Sequence, residues 1–172
     1  ILAENLTRDS HHVYWSGTVI STDPENFIVI GSWDYYTYLK DSKSVFINGG
    51  LIQNADPITF EVILDAYSRD ASHIFYFNEE IPGADPATFE ILGSPYAKDA
   101  DSVFWMENVI SDADPSTFRV LNTNFECSTD LERAYYQNMV ISNFDPASIP
   151  PEAQVTNCDM NGMYFSPWKL QT

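Results

Sequence analysis

The side chains able to do chemistry are few and scattered. The histidines are His11, His12 and His73, set among abundant serines and aspartates. A Ser-His-Asp site needs its three groups in one hydrogen-bonded row, and no spacing here holds such a row together. There is no strand-flanked Gly-x-Ser-x-Gly, no phosphate-cradling glycine loop and no His-Glu-x-x-His. Acidic pairs such as Asp99 with Asp101 and Asp112 with Asp114 offer the oxygen ligands calcium takes. They lack the glycine and the closing glutamate of a calcium loop, so capping and local pairing is the preferred reading. No catalytic residue, metal or cofactor is assigned. Cys127 and Cys158 are too few for zinc without histidine, and no histidine lies near them. They read as two inert buried thiols or as one disulfide.

The elements that carry these residues recur. Asp-Pro appears at Asp23-Pro24, Asp56-Pro57, Asp85-Pro86, Asp114-Pro115 and Asp145-Pro146, spaced 33, 29, 29 and 31 residues apart. A second aspartate stands upstream of each: Asp9, Asp41, Asp70, Asp99 and Asp130. It is preceded by a basic residue in four copies: Arg8, Lys40, Arg69 and Lys98. Five residues after it comes an aromatic: Tyr14, Phe46, Phe75, Phe104 or Tyr135. The following residue is aromatic at Trp15, Tyr76, Trp105 and Tyr136, with Ile47 the exception. Asp159 starts a sixth copy with Met163, Tyr164 and Phe165 at the same spacing. The fifth copy departs most, with Thr129 in the basic place and Ile149 where a phenylalanine otherwise follows Asp-Pro. A repeated period of this kind marks units that bury too little alone and stack on their neighbours.

Each copy reads as a β-hairpin, a short helical turn and a further strand. In the fourth, Ser102–Met106 is rich in β-formers and Val109-Ile110 begins the return strand. Asp114 then caps a helical turn with Pro115 at its first position. Asp23, Asp56, Asp85 and Asp145 take the same capping role. The expected fold is therefore mostly β, one repeat domain over residues 1–172. Its copies cover approximately 1–32, 33–63, 64–92, 93–122 and 123–150, with a partial sixth over 151–172. An open curved stack is expected, with a closed propeller-like ring as the alternative. The always-aromatic position is assigned to the core. Trp15, Tyr76, Trp105 and Tyr136 are either second-layer core or an exposed aromatic stripe suited to protein binding. The basic–acidic neighbours would form a ladder of charge pairs between copies. The cysteines fall in adjacent copies on neighbouring strands, within reach of a bond that would imply an oxidising compartment.

Tyr96-Ala-Lys-Asp99 with Val103-Phe-Trp105 and Ala113-Asp-Pro-Ser-Thr-Phe118 resembles the bacterial DKNYY repeat family. Tyr67-Ser-Arg-Asp70 with Ile74-Phe-Tyr76 and Ala84-Asp-Pro-Ala-Thr-Phe89 resembles it in the same way. Asp159 to Phe165 is nearest to the name-giving string, although no copy has lysine and asparagine together after the aspartate. The resemblance implies a repeat scaffold in bacterial, often envelope-associated, proteins and no particular chemistry.

Charge narrows the partners. With 25 acidic against 8 basic residues the net charge is −17, which repels nucleic acid and anionic membranes. No apolar run approaches a membrane span. Chemistry-bearing residues that recur in every unit suit a scaffold better than an enzyme, whose site is one cluster of different residues. The expected function is non-catalytic binding of another, basic protein through the acidic surface, by a monomer that is periplasmic, cell-surface or secreted. The alternative is an immunity or inhibitor protein that neutralises a basic toxin such as a nuclease, which would place it in the cytoplasm. The chain starts at Ile1 and reads as a mature or trimmed form.

Overall fold

The computed structural model describes residues 5–33, 35–151 and 153–166. The first residues of the expected first copy, 1–4, and the last of the sixth, 167–172, lie outside the described residues. The chain is mostly β and forms two compact units, Ile1–Pro86 and Ala87–Thr172.

The first unit holds three antiparallel sheets. One is β1 (Leu6–Arg8), β2 (Val13–Trp15) and β3 (Thr18–Ser21), in that spatial order. The next is β4 (Ile28–Trp33), β5 (Tyr36–Lys40), β6 (Val45–Ile47) and β7 (Gly50–Ile52). The third is β8 (Glu61–Leu64), β9 (Tyr67–Arg69), β10 (Ile74–Tyr76) and β11 (Glu79–Glu80).

The second unit repeats the plan. Its first sheet is β12 (Glu90–Gly93), β13 (Tyr96–Lys98), β14 (Val103–Trp105) and β15 (Asn108–Val109). Its second is β16 (Arg119–Asn122), β17 (Cys127–Thr129), β18 (Ala134–Tyr136) and β19 (Met139–Val140). The last is the hairpin of β20 (Gln154–Asp159) and β21 (Gly162–Ser166). In every sheet neighbours in sequence are neighbours in space, and among the described residues none closes into a barrel.

Two features differ from the sequence reading. The four-stranded sheets are meanders, with one strand more than a hairpin plus one. The extra strand is the Tyr-x-Lys/Arg stretch of β5, β9 and β13. At three residues, β9 and β13 are too short to show an alternating pattern. Pairing on both sides makes them strands, as Tyr96 opposes Gly93 on one flank and Trp105 on the other. The segment after Asp-Pro is a single turn in the first four copies. The Phe60 amide donates to the Asp56 carbonyl at 3.0 Å and the Thr117 amide to the Asp114 carbonyl at 3.2 Å. Among the described residues only Pro146–Ser148 completes a 3-10 helix. The chain leaves the turn at the phenylalanine, which is drawn into the core before a helix can propagate.

The core explains that pull. Consecutive strand residues point to opposite faces, yet both Ile74 and Phe75, and both Val103 and Phe104, are fully buried. These strands are covered on both faces. Phe60 wedges between Tyr38 and Phe75, with ring centroids 6.0 and 6.3 Å away. Phe118 wedges between Tyr96 and Tyr135 in the same way, at 5.9 and 5.8 Å. Each such ring contact adds about 0.5–1.5 kcal/mol to the area it buries. Asn48 and Gly49, with φ of 48° and 78°, form the two-residue turn between β6 and β7. The Trp15 ring occupies the space a Cβ at Gly49 would need.

Candidate functional site

The recurring aspartate is the most constrained polar group. Asp41, Asp70, Asp99 and Asp130 are 9%, 4%, 4% and 1% exposed. A carboxylate is buried at such levels only when charge-assisted hydrogen bonds replace its water. One oxygen closes the turn before the aromatic strand. Oδ1 of Asp130 accepts the amides of Glu132 and Arg133 at 2.8 and 2.6 Å, and Oδ1 of Asp70 those of Ser72 and His73, both at 2.7 Å. Asp41 and Asp99 do the same two and three residues on.

The second oxygen reaches back to the preceding Asp-Pro turn. Asp70 Oδ2 accepts the Asp56 amide at 2.9 Å, and Asp130 Oδ2 the Asp114 amide at 3.1 Å. At Asp41 the Ser21 hydroxyl intervenes, donating to Oδ2 at 2.6 Å while accepting the Asp23 amide at 3.0 Å. Burial pushes the Asp70 and Asp130 carboxyls up, but these donors outweigh it and hold both below the usual value. Asp9, on the exposed turn of the first sheet, is lowered to about 2 by the His11 amide first, then the Tyr14 hydroxyl and His12 amide.

The basic neighbours do not pair with these aspartates, contrary to the expected charge ladder. Adjacent residues at a strand end diverge to opposite faces. Arg8, Lys40, Arg69 and Lys98 each donate to the proline carbonyl of the Asp-Pro turn 16 or 17 residues later: Pro24, Pro57, Pro86 and Pro115, at 3.1, 2.6, 3.2 and 3.1 Å. An Asp-Pro turn is thus held from two sides. The Pro57 carbonyl takes Lys40, and the Asp56 amide gives to Asp70.

The Asp-Pro aspartates cap their turns. Asp56 accepts the Ile58 amide and Thr59 hydroxyl at 3.0 and 2.8 Å; Asp114 accepts the Ser116 amide and Thr117 hydroxyl at 2.9 and 2.8 Å. Asp145 accepts the Ala147 amide at 2.9 Å. Asp23 instead takes the Asn26 side-chain amide and the Ser42 hydroxyl, and Asp85 is engaged as well.

Trp15, Tyr76, Trp105 and Tyr136 are all half-buried. Trp15 packs on Leu6, Val13, Phe27 and Phe46, Trp105 on the Tyr96 and Phe118 cluster, and Tyr136 on the cluster around Cys127. Tyr76 meets Tyr67 edge-on at 4.8 Å. Each is a second layer over the core that offers solvent only part of its ring.

Cys127 and Cys158 form a disulfide with Cα atoms 5.8 Å apart, joining β17 to β20 across 31 residues. Both are buried, at 0% and 3% exposure. Cys127 stands three residues before its aspartate, where the three preceding copies have Tyr38, Tyr67 and Tyr96. Tyr38 donates to the Asp65 carbonyl at 3.2 Å and Tyr96 to the Glu126 carbonyl at 2.5 Å, both in the following copy. The fifth copy makes its forward link with a covalent bond.

The histidines are placed apart from any relay. His73 Nδ1 lies 3.1 Å from Asp70 Oδ1, and His12 4.0 Å from Asp9 Oδ1. His11 shares a hydrogen bond of 2.8 Å with the Ser10 hydroxyl. The aspartates beside them are already committed to backbone amides. Among the described residues no three His, Cys, Asp or Glu side chains gather as a metal site.

With this geometry in view, the DKNYY family model matches residues 1–108 and 96–166. The chain belongs to the DKNYY family. The two matches overlap across β13 and β14, where the aspartate turn and aromatic strand stand in full. No curated protein and no solved structure matches the chain. In this DKNYY chain, Tyr38 and Tyr96 are links to the following copy that the sequence reading did not assign. The signal was present: a tyrosine three residues before the aspartate in three successive copies, replaced by Cys127 in the fifth.

Proposed function

We propose that this DKNYY chain is a non-catalytic scaffold of stacked copies that binds a basic protein through its acidic exterior, outside the cytoplasm. The observation that carries the proposal is the commitment of its recurring polar groups. The buried aspartates hold turns, the lysines and arginines hold proline carbonyls, and the capping aspartates hold amides. Groups so occupied are each tied to the backbone they hold rather than gathered about a common substrate. The positions that vary from copy to copy and face water include the acids Glu25, Glu79, Glu90 and Asp101. An anionic exterior steers cationic partners and repels phosphate-bearing ones.

The disulfide supports a compartment in which thiols stay oxidised. It favours the envelope reading over a cytoplasmic immunity protein, whose thiols the cell would keep reduced.

A pull-down from the native cell tests the proposal, with the disulfide-intact chain and a variant carrying Glu25→Gln, Glu79→Gln and Asp101→Asn as paired baits. A basic protein retained by the first and lost by the second, at unchanged thermal stability, is the expected result. Equal retention by both baits, or no retained protein, refutes it.

A further inference from the structure

The repeat pattern breaks in one place in a way that makes a cavity. After Asp-Pro, four copies place a phenylalanine: Phe27, Phe60, Phe89 and Phe118. Phe60 and Phe118 fill the space between rings on either side. The fifth copy has Ile149, only half-buried, and no ring follows it in the core. Beside it the chain runs through Pro150 and Pro151 into β20. Between this corner and β16 lies a groove of about 710 Å³, walled by Leu121, Ile149, Pro150, Pro151 and Val155, with Arg119 also lining it. Its size falls within the range of small-ligand sites, about 300–1,000 Å³.

Arg119 departs from its siblings as well. The first residue of β8 is Glu61, which pairs with Arg69, and that of β12 is Glu90, which lies opposite Lys98. In β16 the position is Arg119, opposite Thr129. The acid is gone from one strand and the base from the other, so among the described residues the cation has no strand neighbour to pair with. Among the described residues no hydrogen bond or ion pair engages it. An unpaired guanidinium with a fork of donors suits a carboxylate. One sited at an apolar groove, in a chain of net charge −17, marks a local reversal of the surface field.

We propose that this groove binds a small ligand with a carboxylate head and an apolar body, the head on Arg119 and the body along Leu121, Ile149 and Val155. This site is separate from the acidic exterior of the preceding section and stands or falls independently of it.

The probe is decanoate, titrated into the disulfide-intact chain by calorimetry, with decanol and acetate as arms lacking the charge or the apolar body. Saturable binding of one decanoate is expected, with decanol weaker by about tenfold, the loss that one charged hydrogen bond represents, and acetate without measurable binding. Arg119→Glu, which installs the acid found at Glu61 and Glu90, should weaken decanoate by at least about the same factor. Ile149→Phe, which restores the ring of the other copies, should block it by filling the groove. Lys43→Glu, exposed in the other unit, changes the net charge equally and should leave binding intact. Absence of saturable binding overturns the proposal. So does binding unaffected by either groove variant, or weakened as much by Lys43→Glu as by Arg119→Glu.

Discussion

The Asp130 carboxylate accepts the backbone amide of Asp114 at 3.1 Å while its other oxygen closes its own turn. One buried side chain therefore ties the aspartate turn of one copy to the Asp-Pro turn of the copy before it. The Tyr135 hydroxyl adds a fourth donor at 2.6 Å. Replacing Asp130 with Asn removes the charge and one acceptor and turns an amide toward existing donors. The loss should be about 2–3 kcal/mol, the range for a charged hydrogen bond and a buried donor left unpaired. Asp9→Asn, in the exposed equivalent, should cost less. Chemical denaturation of the two variants checks the ordering.

Stability should depend on pH at both ends. Asp70 and Asp130 titrate below the ordinary carboxyl value of about 4. A lowered folded value gives stability that is present above the unfolded value and lost as pH falls through the folded one. Thermal midpoints should therefore drop below about pH 4, and Asp130→Asn should flatten that fall. Tyr38, Tyr96 and Tyr135 are raised above the ordinary phenol, burial being the largest cause in each. Their contribution is complete below about pH 10 and is lost above it. An ultraviolet phenolate titration should show these hydroxyls ionising only as the chain unfolds.

Removal of the disulfide should loosen the last hairpin. A cross-link spanning 31 residues contributes about 3–4 kcal/mol by restricting the unfolded chain. The Cys127→Ser, Cys158→Ser double variant should lose that amount, with hydrogen-exchange protection falling first in β20 and β21. Intact mass after alkylation in denaturant without reductant should show no modified thiol in the wild type.

Trp105 separates packing from recognition. It lies over the Tyr96 and Phe118 cluster, so Trp105→Ala should cost about 2–3 kcal/mol, below the range for a fully buried ring. Trp105→Phe should recover most of it. Unchanged stability in Trp105→Ala, with loss of partner binding, would assign the ring to an exposed recognition stripe instead.

Much of this architecture was legible because it repeats. Asp-Pro, the upstream aspartate and the aromatic pair located the Asp-Pro turn, the aspartate turn and the aromatic strand of each sheet from β1 to β19. The short strand at Tyr67–Arg69 was not legible, since three residues cannot show a period. The partners of Arg69 and Lys98 were hidden for a different reason. Their contacts are to proline carbonyls 17 residues away, and a carbonyl has no letter in the sequence. The aspartates looked like charges in search of a base, whereas backbone amides satisfy them. The groove at Ile149 was foreshadowed by the drift of the fifth copy, but the placing of Arg119 opposite Thr129 depends on strand register, which only the fold supplies.

The recurring polar groups hold turns and strands, and the exposed acids are the ones proposed to meet a partner. The most direct test is the affinity of the captured basic protein for the wild type and for the Glu25→Gln, Glu79→Gln, Asp101→Asn variant, each across a range of salt. Weaker binding by the variant is expected, with a wild-type affinity that falls with salt more steeply than the variant's. Salt-independent binding of equal strength by both proteins would contradict it.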